Sequence, residues 1–161
     1  MDRPETTQSI QASAIQFRAH FKTVLMATIS DQHEADASYA PFILDKQSRT
    51  CIFVSALAKH TQNLINQPQA ALLWIEDEQN ATNIFARKRL TLDCSATIIA
   101  RDTAEWETLL TQFEQSHGET IALLKTLQDF QLFRFQAHNG LFVRGFGEAY
   151  SVSGNTLESD T

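Results

Sequence analysis

The stretch Arg87-Lys-Arg-Leu-Thr-Leu-Asp-Cys-Ser-Ala-Thr-Ile-Ile99 alternates apolar and polar side chains along most of its length. Successive side chains of a β-strand point to opposite faces, so this alternation predicts a strand with one buried and one solvated face. Such half-buried strands are typical of antiparallel sheets. The predicted buried positions are Leu90, Leu92, Cys94, Ala96 and Ile98.

Shorter patterns on both sides of this stretch predict six further strands, most of them in hairpins. The last two of these strands flank His138-Asn139-Gly140, and the Asn-Gly pair predicts a tight turn. The six predicted strands are Lys22–Ser30, Ser38–Leu44, Thr50–Ser55, Ala70–Ile75, Phe130–Gln136 and Leu141–Tyr150.

Helical spacing of apolar residues predicts four helices between and before the strands. A leading helix occupies residues 5–20 of the N-terminal segment 1–20. A short helix over 59–66 ends at Asn66-Gln67-Pro68, because a proline disfavours helix in the residue before it. Asp102 is predicted to cap a third helix together with Glu105, and residues 119–127 form the fourth.

Sequential antiparallel strands with few helices exclude a doubly wound parallel sheet. A sheet that closes on itself removes its exposed edges, so we expect a mainly β (α+β) fold. The expected architecture is a split β-barrel of six or seven antiparallel strands with flanking helices, as a single domain over residues 1–161. The segment 154–161 is expected to be a disordered or truncated tail.

Composition and charge restrict the class of the 161-residue chain and its partners. Hydrophobic residues make up 43% and charged residues 20%, and the formal net charge is −6. This acidic balance argues against nucleic acid as a partner, because binding phosphates needs a basic surface. We find no apolar run of membrane-spanning length and no signal peptide, and expect no membrane partner and a cytoplasmic location. Cys51 and Cys94 are expected to be buried free thiols.

The segment Ser55-Ala-Leu-Ala-Lys59-His60 joins the end of a predicted strand to the start of a helix. Free backbone N–H groups at a helix N-terminus attract anions, and Lys59 adds a full positive charge. A phosphate or carboxylate group is therefore a natural ligand here. The alternative is a solvated lysine beside an ordinary helix start.

Arg87-Lys88-Arg89 is the second basic candidate. On a strand, Arg87 and Arg89 share a face and could bind one anion through bidentate hydrogen bonds. The alternative is that these side chains pair with Glu76, Asp77 and Glu78 across a hairpin, since exposed ion pairs are common.

The histidines show neither HxH nor HxxxH spacing, so they predict no mononuclear metal site. His33 and His138 fall in predicted turns. A single histidine can still ligate a haem iron, but no local pattern distinguishes one of them. The five histidines are His20, His33, His60, His117 and His138.

Segments between Phe17 and Ser153 together carry a family resemblance. They include Ser38-Tyr-Ala-Pro-Phe42, Ser55-Ala-Leu-Ala-Lys-His60, Trp74-Ile-Glu-Asp-Glu78, Phe85-Ala-Arg-Lys-Arg-Leu-Thr-Leu92, Leu127-Gln-Asp-Phe130 and Gly140-Leu-Phe-Val-Arg-Gly-Phe-Gly147. In these segments the chain resembles haem-utilisation proteins of the HutZ/HugZ type. That group belongs to the FMN-binding split barrels related to pyridoxamine 5′-phosphate oxidase.

The resemblance implies a homodimer of split barrels that holds its cofactor at the subunit interface. It also implies haem binding, and in characterised relatives the haem ring is opened oxidatively to release iron. We therefore expect a haem-binding protein of haem utilisation that degrades haem oxidatively. The alternatives are an FMN-dependent oxidoreductase resembling pyridoxamine 5′-phosphate oxidase, and a haem carrier or storage protein without turnover.

The resemblance also implies roles for particular residues. Lys59 and Arg89 would anchor haem propionates, with Arg87 as a weaker candidate, and Thr28 and Ser38 would be polar residues of the pocket. In the flavin oxidases, the segment that matches Ala58-Lys59-His60 carries basic residues on the FMN phosphate. The residues implied to bind the cofactor are thus Ser55, Lys59, His60, Arg87, Arg89, Thr28 and Ser38.

Asp129 is the candidate catalytic residue implied by the resemblance. It matches an acid that hydrogen-bonds the iron-ligating histidine in haem-degrading relatives, an arrangement that tunes the basicity of the ligand. In those relatives the histidine lies in a C-terminal extension, whereas no histidine follows His138 in this sequence. The open alternatives are a truncated chain, a different iron ligand, or a cofactor other than haem.

Overall fold

The computed structural model describes residues 6–154, which form seven antiparallel strands and four α-helices. The strands are β1 Thr23–Ile29, β2 Ala35–Leu44, β3 Thr50–Ser55, β4 Gln69–Ile75, β5 Arg89–Ile99, β6 Phe130–Gly145 and β7 Glu148–Ser153. The helices are α1 Thr7–Ala19, α2 Lys59–Asn66, α3 Ala104–His117 and α4 Thr120–Leu124. Of the predicted tail, residues 155–161 lie outside the described part of the chain.

Six of the strands close into a barrel. The sheet order is β3-β2-β1-β4-β5-β6-β7, and β3 pairs in addition with the first part of β6. This second pairing closes the barrel, and β7 extends the sheet from the later part of β6. The mainly β split barrel with flanking helices is thereby confirmed. No helix within 6–154 is long and apolar enough to cross a membrane.

The barrel interior is filled by alternate residues of the strands, as the sequence predicts. Leu90, Leu92 and Cys94 of β5 are buried in one hydrophobic cluster with Trp74 and Phe142. Burial raises the pKa of the Cys94 thiol to about 12, and Cys51 is likewise a buried free thiol. Both cysteines therefore remain protonated and serve as packing groups.

The predicted alternation of β5 is wrong at its end. Ile98 is 49% exposed, whereas Ile99 is 7% exposed. The reason is that α3 covers the outside of the barrel at this point, and Ile99 joins the second hydrophobic cluster, in which Trp106 and Phe113 of α3 are also buried.

The start of α3 also differs from the prediction. Asp102 has a φ of 63° and does not cap the helix. The cap is Thr103, whose hydroxyl accepts a hydrogen bond from the backbone N–H of Trp106 at 3.2 Å. A residue in the left-handed region reverses the chain direction just before the helix, so the capping position moves by one residue.

The predicted turn at His138-Asn139-Gly140 is wrong, because β6 continues through it to Gly145. The reversal to β7 occurs at Gly147, which has a φ of 76°. Gly140 is required for another reason: a Cβ atom there would lie 2.2 Å from the carbonyl oxygen of Thr91. The glycine therefore permits a close approach of β5 and β6, and Asn139 is an exposed strand residue beside it.

We predict that Gly140→Ala destabilises the protein, because the added methyl group clashes with backbone rather than with a mobile side chain. The expected loss is about 1–3 kcal/mol in the free energy of unfolding measured with urea. Asn139→Ala is the matched control and should change stability by less than about 0.5 kcal/mol. Equal losses in both variants would contradict the assignment, since a tight turn would need both residues.

Candidate functional site

Helix α2 packs over one end of the barrel and is tied to β1 and β2 by polar side chains. The Asn63 amide donates a hydrogen bond to the Thr28 hydroxyl at 3.0 Å, and both side chains are buried. Thr28, a predicted pocket residue, therefore holds the helix in place, and Asn63 is a partner that the sequence analysis did not identify. A buried hydrogen bond between two side chains helps to specify the position of the helix.

His60 is the second link between α2 and the barrel. Its Nδ1 lies 3.0 Å from the hydroxyl oxygen of Ser38, and its Nε2 is buried without a hydrogen-bond partner. Burial lowers the pKa of His60, and the nearby carboxylate of Asp36 opposes this shift in part. The imidazole is consequently held in its neutral form against Ser38, another predicted pocket residue.

Lys59 is the first residue of α2 and carries an exposed cation at this end of the barrel. Its Nζ lies 3.5 Å from a carboxylate oxygen of Asp36, and the lysine side chain is 59% exposed. An exposed ion pair of this length contributes little to stability. The ammonium group is therefore free to turn towards an incoming anion at little cost.

Ser55 and Asp129 hold the loop that leads into α2. The Ser55 hydroxyl donates to Asp129 at 2.7 Å and accepts a hydrogen bond from the backbone N–H of Leu57 at 3.1 Å. The backbone N–H of Ala56 donates to the carbonyl oxygen of Asp129 at 2.8 Å. The structure thus brings Asp129 next to the segment that carries Lys59, and it ties that segment to the start of β6.

Arg87 and Arg89 do not form the bidentate pair considered from the sequence. Arg87 precedes β5, and its guanidinium donates to the carbonyl oxygen of Glu76 and lies 3.8 Å from the carboxylate of Glu78. The alternative of pairing across the β4–β5 connection is therefore the correct one for Arg87. Arg89 lies on β5, and its Nη1 donates to the carbonyl oxygen of Arg87 at 3.1 Å.

The two groups of candidate residues lie at different levels of the sheet. Along β4, Ala71 pairs with Ala27 of β1, the neighbour of the residue that binds α2. Ile75, four residues further along β4, pairs with Arg89 of β5. Four residues of strand span about 13 Å. Lys59 and Arg89 are therefore not brought together within one chain.

The solvent-facing side of β1, β2, β4, β5 and the adjoining part of β6, here called the outer face, carries many apolar side chains. The strand register arranges its side chains in rows that run across the strands. A row of larger residues consists of Tyr39, Leu25, Leu73, Thr91 and Leu141. The adjacent row of smaller residues consists of Ala37, Ala27, Ala71, Asp93 and Asn139. Leu25 is 45% and Tyr39 62% exposed in the single chain.

A cavity of about 470 Å³ opens on the outer face beside the row of smaller residues. Its walls combine apolar side chains such as Ala27, Ala71 and Ile29 with polar ones, which include the imidazole of His138 and the carboxylate of Asp93. This volume and this mixture of apolar walls with a few polar groups are typical of small-molecule and cofactor sites.

His138 is the residue of this cavity that the sequence analysis missed, because it was assigned to a turn. It lies at an irregularity in which Asp93 pairs with Asn139 but Cys94 pairs with Ala137. A bulge of this kind depends on strand pairing and leaves no pattern in the local sequence. The Asn-Gly pair beside it was the only local signal, and it pointed to a turn.

Comparison with known proteins agrees with the fold. Residues 10–144 match the family model described as pyridoxamine 5′-phosphate oxidase. This chain belongs to the pyridoxamine 5′-phosphate oxidase family. Within the family it is 44% identical, over 142 residues, to heme oxygenase HutZ of Vibrio cholerae, covering 88% of this chain and 80% of that protein.

Two solved structures of the family are similar to this chain. The crystal structure of HutZ, described as a heme storage protein from Vibrio cholerae, has a TM-score of 0.76 and 40% identity, with 83% of this chain and 94% of that chain covered. Campylobacter jejuni ChuZ has a TM-score of 0.84 and 26% identity, with 98% and 64% covered. The resemblance noted in the sequence is therefore confirmed.

We predict that protonation of His60 weakens the fold. Because burial lowers the pKa of His60 in the folded state, the unfolded chain binds this proton first as the pH falls below about 6.5. Stability should therefore decrease from pH about 7.5 to about 5.5, and this decrease should be smaller in His60→Asn. Urea unfolding at both pH values measures the difference.

Ser38→Ala is the matched control, because it removes the hydrogen-bond partner of His60 and keeps the titrating ring. It should lower stability at both pH values and retain the pH dependence of the wild type. A His60→Asn variant that loses as much stability on acidification as the wild type would contradict the assignment.

Proposed function

We propose that this chain is a haem-binding protein of haem utilisation, and that its cofactor site lies between two copies of the chain. The observation that carries the haem assignment is the identity to HutZ over most of the chain. The apolar side chains of the outer-face cavity support it, because a porphyrin needs a largely apolar pocket, whereas the cations for its propionates would have to come from outside the residues that line this cavity.

The outer face is best suited to contact a second copy of the same chain. Its two rows are complementary in size, since Leu25 and Leu73 project where Ala27 and Ala71 leave space. Consider a two-fold axis that is perpendicular to the strands and lies between the two rows. It would place the row of larger residues of each subunit against the row of smaller residues of its partner. Such a self-complementary contact is what a symmetric dimer requires.

The same symmetry explains why the candidate cations lie at two levels of the sheet. The row that contains Ile75 and Arg89 would face the row of the partner that contains Gln69 and Ile29. The partner subunit's Arg89 would then approach the cavity from outside, while Lys59 approaches it from α2. Two cations that approach the same cavity from different sides can each bind one of the two propionate carboxylates at one edge of a haem.

In this proposal Lys59 and the partner subunit's Arg89 bind the haem propionates. Thr28, Ser38 and His60 act indirectly, since their hydrogen bonds hold α2 and hence Lys59 in position. Ser55 and Asp129 fix the loop before α2 in the same way. Bound haem would supply a redox-active iron and the macrocycle that oxidative degradation opens.

The second candidate function is an FMN-dependent oxidoreductase, which the family match favours. The FMN phosphate would take the place of the propionates beside Lys59 and the N-terminus of α2. A third candidate is a haem carrier or storage protein without turnover. Its support is that HutZ is described both as a heme oxygenase and as a heme storage protein.

We predict that the purified protein takes up haemin with a Soret band that saturates at one haem per subunit. Arg89→Ala and Lys59→Ala should each weaken binding by about 1.5–3 kcal/mol, or roughly 10- to 150-fold, because each removes a charged hydrogen bond to a propionate. Lys125→Ala is the matched control and should bind haemin as the wild type does. Lys125 pairs with Glu107 of α3, away from the outer face.

The same titration separates the candidate functions. A flavin spectrum in the purified protein without uptake of haemin would favour FMN and contradict the haem assignment. With haem bound, loss of the Soret band and release of iron in air with ascorbate would identify a haem-degrading enzyme. Persistence of the Soret band under those conditions would identify a carrier.

We also predict that Leu25→Arg converts a dimer into a monomer, because it buries a charge against the apolar face of the partner. Sedimentation velocity measures the change in mass. Leu123→Arg is the matched control: Leu123 lies on α4, is 65% exposed, and should tolerate arginine without loss of the dimer. A wild-type chain that sediments as a monomer at micromolar concentration would contradict the proposed interface.

A further inference from the structure

We propose that Arg101 is a positioning residue of the cofactor site, an inference that rests on the proposed function. Its guanidinium holds the turn that contains Asp129, and Asp129 holds the loop that leads to Lys59. These contacts all lie within one chain, so they do not depend on how two subunits meet.

Arg101 follows the end of β5 and donates three hydrogen bonds to backbone oxygens between α4 and β6. Its Nη1 lies 3.0 Å from the carbonyl oxygen of Lys125, the residue that ends α4. Its Nη2 lies 2.8 Å from the carbonyl oxygen of Leu127 and 3.1 Å from that of Phe130. The last carbonyl groups of a helix lack partners within the helix, so a cationic donor here supplies bonds that α4 cannot make itself.

Two of these oxygens belong to the ends of a tight turn that has Asp129 as its third residue. The backbone N–H of Phe130 donates to the carbonyl oxygen of Leu127 at 3.3 Å, which is the hydrogen bond that closes a β-turn. Leu127 and Gln128 are exposed, so packing contributes little to the shape of this turn. Because Nη2 of Arg101 binds the first and the last residue of the turn, the guanidinium fixes its geometry.

Asp129 links the position of this turn to the loop before α2. Its carboxylate accepts a hydrogen bond from the Ser55 hydroxyl at 2.7 Å, and its carbonyl oxygen accepts one from the backbone N–H of Ala56 at 2.8 Å. The same loop continues directly into α2, which begins at Lys59. A displacement of the turn is therefore passed to the start of α2 through two hydrogen bonds.

The indole ring of Trp106 supports the plane of the Arg101 guanidinium. The Cζ of Arg101 lies 4.9 Å from the ring centre, and the Nζ of Lys125 lies 5.4 Å from the same ring. Both cations thus contact one aromatic ring, but a guanidinium has two terminal nitrogens in one plane and can donate to separate acceptors. Arg101→Lys keeps the charge and replaces two terminal donor nitrogens with one.

The first test measures hydrogen exchange of backbone amides by NMR in the full-length protein without haem. In Arg101→Lys and Arg101→Ala we expect the Ala56 amide to exchange about 10-fold faster than in the wild type, because opening of the turn withdraws its acceptor. Amides of β1 and β4 should exchange at the wild-type rate. Lys125→Ala is the matched control, since it removes the other cation from Trp106 and keeps the backbone oxygens, and it should leave the Ala56 rate unchanged.

An unchanged Ala56 rate in both Arg101 variants would overturn the proposal. An equal acceleration in every strand would also overturn it, because Arg101 would then stabilise the whole fold rather than this loop. The exchange rates do not depend on haem, so they decide whether Arg101 holds the loop even when the wild type fails to bind haemin. That failure would overturn the proposed function instead.

Haemin titrations of double variants test whether Arg101 acts on the site through Asp129. Arg101→Lys should weaken haemin binding of the otherwise wild-type protein by about 3- to 10-fold. The factor should be smaller in the Asp129→Ala background, because one of the two linking hydrogen bonds is already absent, and undiminished in the Arg89→Ala background. Equal factors in these two backgrounds, or unchanged affinity in Arg101→Lys itself, would contradict the positioning role.

Discussion

The pairing of β3 with the first part of β6 is the constraint on which the rest of the structure depends. It closes six strands into a barrel and fixes the register of every strand around it. Apolar side chains on one side of each strand are thereby committed to the interior. The side chains of the opposite side are left in rows on the outer face, and α3 covers the part formed by β3 and the neighbouring ends of β2, β5 and β6. An apolar surface that closure leaves uncovered is where a partner or a ligand is to be expected.

Closure also determines where the candidate cations can act. Because α2 follows β3 directly, it lies at the end of the barrel, where buried hydrogen bonds to Thr28 and Ser38 hold it. Lys59 at its first turn is thus positioned by the barrel rather than by its own weak ion pair with Asp36. Arg89 is positioned by its place in β5. Neither residue can approach the other within one chain, so a joint role requires a second copy.

Much of the fold could be predicted from the sequence, because alternation and helical spacing report directly on burial. The strand around Leu90 and Leu92 and the buried stripe of α3 are examples. The predictions failed where a distant contact overrides the local pattern. Ile99 is buried by α3, and the Asn139-Gly140 pair serves the close approach of β5 and β6 instead of a turn. For the same reason the sequence pointed to the basic residues of the site but not to His138, whose orientation depends on a bulge.

The most direct test of a site shared between two subunits is haemin binding by mixed dimers of Lys59→Ala and Arg89→Ala, co-expressed with two different affinity tags. If Lys59 of one subunit acts with the partner subunit's Arg89, one of the two sites in each mixed dimer contains both intact residues. Half of the sites should then bind haemin with wild-type affinity, although each parent dimer binds weakly. Mixed dimers in which every site is as weak as in the parents would contradict it.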